Sequence, residues 1–432
     1  MKIQYTKTTC VLLLMLLLGA KASLAAVPQD SLAYVSTGKV TDERNRPLPQ
    51  VNVTIPGTHI AVVTNEDGDF ILKSPSPFTH FLVSHIGYHQ QRIPTSTGHP
   101  GTPTMPTHPI RIVLAPATIV LDNVVVVSTN ARDLVEEAMR RIPKNYNSQR
   151  ELYTCFYRET VQKRQRFINV AEAVAKLYKT SVVMSPGSDR VAIEKGRRLI
   201  SPRTNDTLGV KIMGGPNTPI WLDLVKNHEF LLDPDDMEYY DFQLQTPVTI
   251  DDRPQFVIRV IPSQLASYAL FEGLLFIDRE TLAFTRAELS LDMRDRDKAT
   301  RYMLVKKPIG VRFRPRAMTV TISYQYDGTC SRISYVRAFF RFNCDWKKKL
   351  FSTSFTAQSE LVVTDRQTSD VTPPRGRDSF YQKDAFFDKV GYFEDPDFWH
   401  DYNIIQPTES LEDAISRLKK MNRAALSMSD RQ

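Results

Sequence analysis

Catalytic signatures are missing from these 432 residues. No HExxH, GxSxG, GxGxxG or phosphate-loop pattern occurs, so nothing indicates a zinc protease, a nucleophile-elbow hydrolase or a nucleotide-binding enzyme. Cysteine is scarce, at four residues, and no pair has the CxxC spacing of a zinc or thiol redox site. Past residue 20 no segment approaches the ~20 apolar residues of a transmembrane helix. What is present is the balance of a folded globular chain. Hydrophobic residues make up 42%, charged residues 24%, there are 27 prolines and the formal charge is +8. Disordered and fibrous classes are excluded, and the length allows two or three domains.

The first residues read as a leader rather than as part of the fold. Lys2 and Lys7 precede an apolar run from Cys10 to Ala20, and Ser23-Leu24-Ala25 supplies small residues at cleavage spacing. Residues 1–25 are therefore expected to be a signal peptide, cut near Ala25 or Ala26. Cys10 sits at the front of the apolar run, not behind it, which disfavours a lipoprotein leader. Removing three lysines and no acid leaves a charge of about +5. Export argues against nucleic acid as a partner, while an envelope protein, a lipid or a glycan suits the compartment. Of the cysteines, Cys155, Cys330 and Cys344 follow the leader, an odd number. The stretch between Cys330 and Cys344 reads as one strand, whose ends would lie ~45 Å apart. A bridge needs Cα atoms within ~7 Å, so none is expected there.

From Thr37 to Ala115, short β-branched runs alternate with turn residues. Strands are expected at Gly38–Thr41, Val51–Ile55, Ile60–Thr64, from Phe70, at His80–His85 and at Ile110–Leu114. This punctuation predicts an antiparallel β-sandwich over 34–116. Specific residues also resemble a known family. The series Gly38-Lys39-Val40-Thr41-Asp42, Pro47-Leu48-Pro49 with Val51-Asn52-Val53, Gly57-Thr58, Asp67-Gly68 with Phe70, and Ser84-His85-Ile86-Gly87-Tyr88 is similar to the carboxypeptidase-regulatory-like, transthyretin-type domain of Bacteroidota envelope proteins. The resemblance implies a seven-stranded module without catalytic activity. Within it, Asn65–Asp69 lacks two ligands of a calcium loop, since Val63 and Ser74 stand where carboxylates belong, and reads as a hairpin turn with Gly68 at positive φ. Pro94–Pro109, which carries His99 and His108, reads as an exposed loop.

Residues 117–130 form a connecting strand centred on Val124, Val125, Val126 and Val127. The segment resembles one that TonB-dependent transporters offer to an energising partner by strand addition. An ordinary linking strand is the competing reading. A transporter barrel is not expected, because a 22-stranded barrel needs ~220 residues in strands alone. The part after Asn130 begins and ends with helical patterns and lacks an aromatic-ended last strand.

A helix is expected over 131–147, with Leu134, Ala138 and Ile142 on one stripe and Pro143 and Asn145 ending it. Residues 150–385 read as an antiparallel β domain. Leu152–Val161 and Phe167–Tyr178 flank a charged tip at Lys163-Arg164-Gln165-Arg166, with Ala171–Lys179 as an alternative helix. Further strands are expected at Phe256–Ile261, Gly273–Ile277, Phe284–Leu291, Tyr302–Val305, Val311–Tyr326, Ile333–Phe342 and Phe355–Val363. Consecutive strands of this length must curl. The Gly273–Leu282 hairpin resembles one in the half-barrels of bacterial lipoprotein carriers and envelope-stress sensors. That resemblance implies a concave apolar face able to hold an acyl chain or a peptide.

In the 386–424 region, Phe386, Phe387, Tyr392, Phe393, Phe398, Trp399 and Tyr402 interleave with acids. They suit a glycan platform or, more simply, rings that pin an irregular segment to a domain. Ser410 and Asp413 are expected to cap a last helix with Leu411, Ala414, Ile415 and Leu418 buried. His228-Glu229 matches no motif, and Asp235-Asp236 and Asp251-Asp252 lie in turn-like sequence.

The whole predicts a mainly β chain, an N-terminal antiparallel sandwich followed by a curved antiparallel sheet domain with flanking helices. No cofactor, metal or catalytic residue is assigned. The expected function is a non-enzymatic binding or assembly module of the Gram-negative envelope, periplasmic or outer-membrane associated. A carrier of a lipid or other hydrophobic ligand is the alternative, and a secreted hydrolase the third reading. Composition leaves the oligomeric state open.

Overall fold

The computed structural model describes residues 34–95, 109–117, 130–206, 208–228, 231–347, 352–381, 384–392, 398–399 and 402–429. The expected leader, the valine run 124–127, His99 and His108 lie outside the described residues.

Seven short strands build the N-terminal sandwich: β1 (Tyr34–Asp42), β2 (Asn52–Thr54), β3 (Ala61–Val63), β4 (Asp69–Ser74), β5 (His80–Ser84), β6 (Gln91–Pro94) and β7 (Ile110–Leu114). They divide into sheets of order β4-β1-β7 and β3-β2-β5-β6. Alternating side chains close the core, with Val40, Val53, Phe70, Leu72, Phe81 and Leu114 buried between the layers. Two features correct the sequence reading. β7 runs parallel to β1, so the sandwich is not wholly antiparallel. β6 is a strand that the proline-led loop reading passed over. Its outermost position tolerates Pro94, which has no N–H to give to a ladder. Gly68 adopts φ +80° as the turn requires, and the Asn65 side chain accepts the N–H groups of Asp67 and Asp69 at 2.9 and 2.8 Å.

The second unit opens with α1 (Ala131–Arg140) and α2 (Ile142–Asn145). Pro143 does not end the first helix but sits in the first turn of the second, where its missing N–H costs nothing. Then come β8 (Glu151–Lys163), β9 (Arg166–Lys179), β10 (Arg190–Ile200), β11 (Lys211–Ile212), α3 (Thr218–Trp221), β12 (Tyr240–Ile250), β13 (Arg253–Pro262), β14 (Phe271–Asp278) and β15 (Phe284–Leu291). The chain goes on through α4 (Arg296–Met303), β16 (Leu304–Lys306), β17 (Val311–Tyr326), β18 (Ser331–Trp346), β19 (Thr353–Gln367), β20 (Gly391–Tyr392) and α5 (Glu409–Ser429). Residues 171–179 are strand, not helix. The strand expected at Tyr302–Val305 is instead the end of α4 followed by β16. Asp295 caps that helix by accepting the N–H groups of Asp297 and Lys298, both at 3.0 Å.

One large curved sheet results, of order β12-β13-β14-β15-β17-β18-β19-β8-β9-β10-β20. It is antiparallel except for the short β10–β20 pair. The long-range join is β19 with β8, where Phe355 faces Lys163 and Gln367 faces Leu152. Gly273 permits the tight pairing of β14 and β15: its φ is +151°, and a Cβ there would stand 2.0 Å from the Glu288 carbonyl oxygen. Cys330 immediately precedes β18 and Cys344 lies near its other end, and all three described cysteines are free.

The two faces of the sheet are covered differently. The inner, concave face buries Tyr153, Cys155, Tyr157, Leu275, Ile322 and Phe340 against Leu134, Val135 and Ala138 of α1, Leu222, Leu224, Val225, Leu231 and Leu232, and Ala299 and Met303 of α4. On the outer face Phe156, Val174, Tyr335 and Val362 pack against Val63 of the sandwich and against Trp399 and Ile405. Part of the aromatic-rich segment is thus pinned by its rings. Phe156 and Trp399 meet edge to face at 5.6 Å. Helix α5 lays Leu411 and Leu418 against Val170 and Leu199. Its cap is Thr408, not Ser410, because the Thr408 hydroxyl accepts the Leu411 N–H at 3.2 Å.

Candidate functional site

Helices fill most of the concave face, but one part stays open as a cavity of about 370 Å³. Its floor is strand: Glu159 and Val161 of β8, Phe340 of β18, and Ala357 and Ser359 of β19. Three segments wall it, 208–215 with β11, 306–308 at the end of β16, and 384–387, and they contribute apolar Leu208, Ile212, Met213, Pro308 and Phe386 to its lining. The size lies at the lower end of the range for small-molecule sites.

Local packing fixes the walls. Gly215 has φ +105°, and a Cβ would stand 2.5 Å from the Phe380 ring, so only glycine lets this turn run so close. The Gly215 N–H donates to Tyr157 Oη at 2.8 Å. Tyr157 also meets the Phe386 ring edge to face at 5.0 Å, which ties segment 384–387 to β8. The Tyr157 hydroxyl in turn donates to Glu159 Oε2 at 2.9 Å.

Glu159 is therefore a carboxyl at the floor of a largely apolar cavity. Burial pushes its pKa above the usual carboxylate value, against the opposing pull of Tyr157, Lys211 and Gly215. Lys211 donates to the Asp384 carbonyl at 2.9 Å, and burial lowers its pKa. Lys306 and Lys307 are exposed at the rim. A carboxyl whose ionisation burial disfavours, with ammonium groups at the margin, suits a ligand with an apolar body and an anionic head.

Charge is buried elsewhere as well, and two clusters show how it is balanced. In the first, Asp189 bonds Lys179 at 2.7 Å and Lys226 at 2.5 Å, while Lys179 also reaches Asp223 at 2.7 Å. Burial raises Asp189, but the two lysines outweigh it and hold the carboxyl below its usual range. In the second, Glu172 takes Arg158 at 2.7 Å and Arg197 at 3.0 Å, and the Trp399 indole N–H donates to it at 3.3 Å. The charges within these two clusters are paired with one another, as interior ions require, and the first borders a cavity of about 30 Å³.

Of the residues singled out from sequence, Phe386 and Phe387 line the cavity and the charged motifs do not. Lys163-Arg164-Gln165-Arg166 is a hairpin tip in which Arg164 and Gln165 both have positive φ. Asp251-Asp252 makes the corresponding β12–β13 turn. Asp251 is half-buried, not solvated as expected, and burial raises its carboxyl pKa. His228 reaches only the Val225 carbonyl, at 3.2 Å, and Glu229 lies outside the described residues. Among the described residues no cluster of three His, Cys, Asp or Glu could hold a metal, and no helix is long and apolar enough to cross a membrane. Glu159, Tyr157 and Lys211 were not legible as a site. The only local signal was an acid and a tyrosine inside an otherwise apolar strand pattern.

No curated protein matches the chain. Among solved structures it is similar to a domain described as that of an outer-membrane lipoprotein-sorting protein from Vibrio parahaemolyticus, at 12% identity, covering 58% of this chain and 97% of that one, with a TM-score of 0.26. It is also similar to a LolA superfamily protein from Nitrosomonas europaea, at 12% identity, covering 56% and 96%, with a TM-score of 0.19. Residues 36–126 match the model of the CarboxypepD_reg-like domain, and the sandwich at the front of this chain is a domain of that family.

Proposed function

We propose that the protein is a non-enzymatic binding module of the cell envelope, and that its curved sheet carries a lipid or other hydrophobic ligand in the cavity over Glu159. The observation that carries this reading is the cavity itself, about 370 Å³ of space on the concave face, walled by apolar side chains and edged by lysines. A plain scaffold would bury that surface, since leaving apolar walls uncovered forgoes ~25 cal/mol per Å². The sandwich acts as the fixed mount. It sits on the outer face of the sheet, with Glu66 paired to Arg337 at 2.8 Å and Gln50 accepting from Arg286 at 3.1 Å, and leaves the concave side free.

No chemistry is assigned to the cavity. Glu159 and Tyr157 bond each other, and no histidine, cysteine or serine activated by a base lines the space among the described residues. Organic extraction of the natively purified protein followed by mass spectrometry tests the reading. Stoichiometric acyl chains are expected, and their absence after purification from envelope fractions would count for the scaffold.

A further inference from the structure

We propose that the rim beside the cavity is a docking surface for an anionic lipid bilayer. The strand order places the β16–β17 turn, the end of β18 with the start of β19, and the β8–β9 turn in succession along one edge of the large sheet. Register fixes this directly. Val311 faces Trp346 and Phe355 faces Lys163, the Lys347 N–H donates to the Gly310 carbonyl at 3.3 Å, and the Arg164 N–H donates to the Ser354 carbonyl at 3.1 Å. Along this edge Arg164, Lys306, Lys307, Arg312 and Lys347 are all exposed. The acids beside them are already engaged: Asp345 binds Arg314 at 2.6 Å, and Asp206 binds Arg166 at 2.6 Å.

On this basic edge stands Ile309, completely exposed in the β16–β17 turn, with Val305 half exposed nearby in sequence. Isolated exposed aliphatic side chains are ordinary. A fully exposed isoleucine in a turn whose sequence neighbours Lys306, Lys307 and Arg312 are exposed cations fits a shallow membrane insertion, in which the apolar tip enters the acyl boundary and the cations meet lipid phosphates. Among the described residues the sandwich's hydrogen bonds to the sheet do not involve this edge. They fall on other parts of the sheet, such as His59 with Arg366 near the far end of β19 and Gly87 with Thr249 near the far end of β12. Lys306, Lys307 and Pro308 belong both to the rim and to the cavity wall, so docking would set the mouth of the cavity against the bilayer.

The proposal rests on the rim and not on the carrier reading; a protein that binds vesicles but carries no acyl chain would overturn the carrier alone. The test is co-sedimentation of the purified full chain with phosphatidylglycerol vesicles and with phosphatidylcholine vesicles. Binding is expected to the anionic vesicles only, and to fall away at roughly 1 M salt, where the screening length is ~3 Å. The triple variant Lys306→Gln, Lys307→Gln, Arg312→Gln should bind about two orders of magnitude more weakly, at the strength expected for three cations near an anionic surface. Ile309→Asp should lose about tenfold, and the charge-keeping Lys306→Arg, Lys307→Arg, Arg312→Lys should bind like the parent. These side chains are exposed, so unchanged circular dichroism and melting separate lost docking from lost folding. Equal binding to both vesicle types, no binding at low salt, undiminished binding by the neutralised variant, or retention on an anionic polysaccharide matrix without vesicle binding would each overturn the proposal.

Discussion

Replacing Lys226 with Met removes one cation from the buried group of Lys179, Lys226, Asp189 and Asp223. All four side chains are at most 8% exposed. Lys226 now bonds Asp189 at 2.5 Å, the Thr180 carbonyl at 3.1 Å and the Thr180 hydroxyl at 2.7 Å. Without it two carboxylates share Lys179, and water has little room to enter, because the adjoining cavity is only about 30 Å³. Breaking one partner of a buried ion pair costs about 3–5 kcal/mol. With a guanidinium m-value of about 4 kcal/mol/M, the unfolding midpoint should fall by about 1 M. Asp189 is held below its usual pKa chiefly by Lys179 and Lys226 against the effect of burial. Its contribution is therefore present above the unfolded carboxylate value and lost as pH falls through the lower, folded one. In the variant this loss should begin at higher pH. Adding Asp189→Asn should recover part of the cost, since it removes the uncompensated charge, and the double-mutant cycle should show a coupling of about 2 kcal/mol. A single-variant cost below about 1 kcal/mol with additive effects would refute the idea that these charges act as one unit.

Two further outcomes follow from the same reasoning. Glu159 has a raised folded pKa, so its favourable contribution is complete below the unfolded value and is lost as pH rises through the folded one. Glu159→Gln escapes that loss and should gain stability relative to the parent between acid and neutral pH; parallel pH profiles in thermal melts would contradict this. Gly273→Ala places a methyl 2.0 Å from the Glu288 carbonyl oxygen and should cost about 3 kcal/mol, read as a lowered denaturant midpoint, with an unchanged midpoint as the contrary result.

Much of the strand pattern was open to reading because both faces of the central strands carry instructions. Val311–Tyr326 alternates so regularly that its burial follows the sequence position by position up to its bulges. The strands that escaped notice lie towards the margins. β12 is an outermost strand whose 244–250 stretch buries no side chain fully, and it holds Pro247. β10 carries Glu194, Lys195, Arg197 and Arg198, and its Arg197 is buried only because Glu172 waits on β9. No local rule foresees such a partner. The join of β19 to β8, across some 200 residues of chain, was equally hidden, and with it the cavity. Glu159, Lys211, Lys306, Phe340, Ala357 and Phe386 have no shared period or spacing. They become neighbours only when the sheet curves, which is why the Gly273–Leu282 hairpin could suggest a concave face but not its residues.

Ala357 lies on the cavity floor, and Ala357→Phe would fill much of the space while leaving the rim unchanged. Titration of the parent and this variant with an environment-sensitive fluorescent fatty acid is the most direct test of a ligand-carrying sheet. Saturable binding by the parent at about one probe per chain, lost or weakened at least tenfold in a folded Ala357→Phe protein, is the predicted result. Equal binding by both, or none by a delipidated parent, would contradict it.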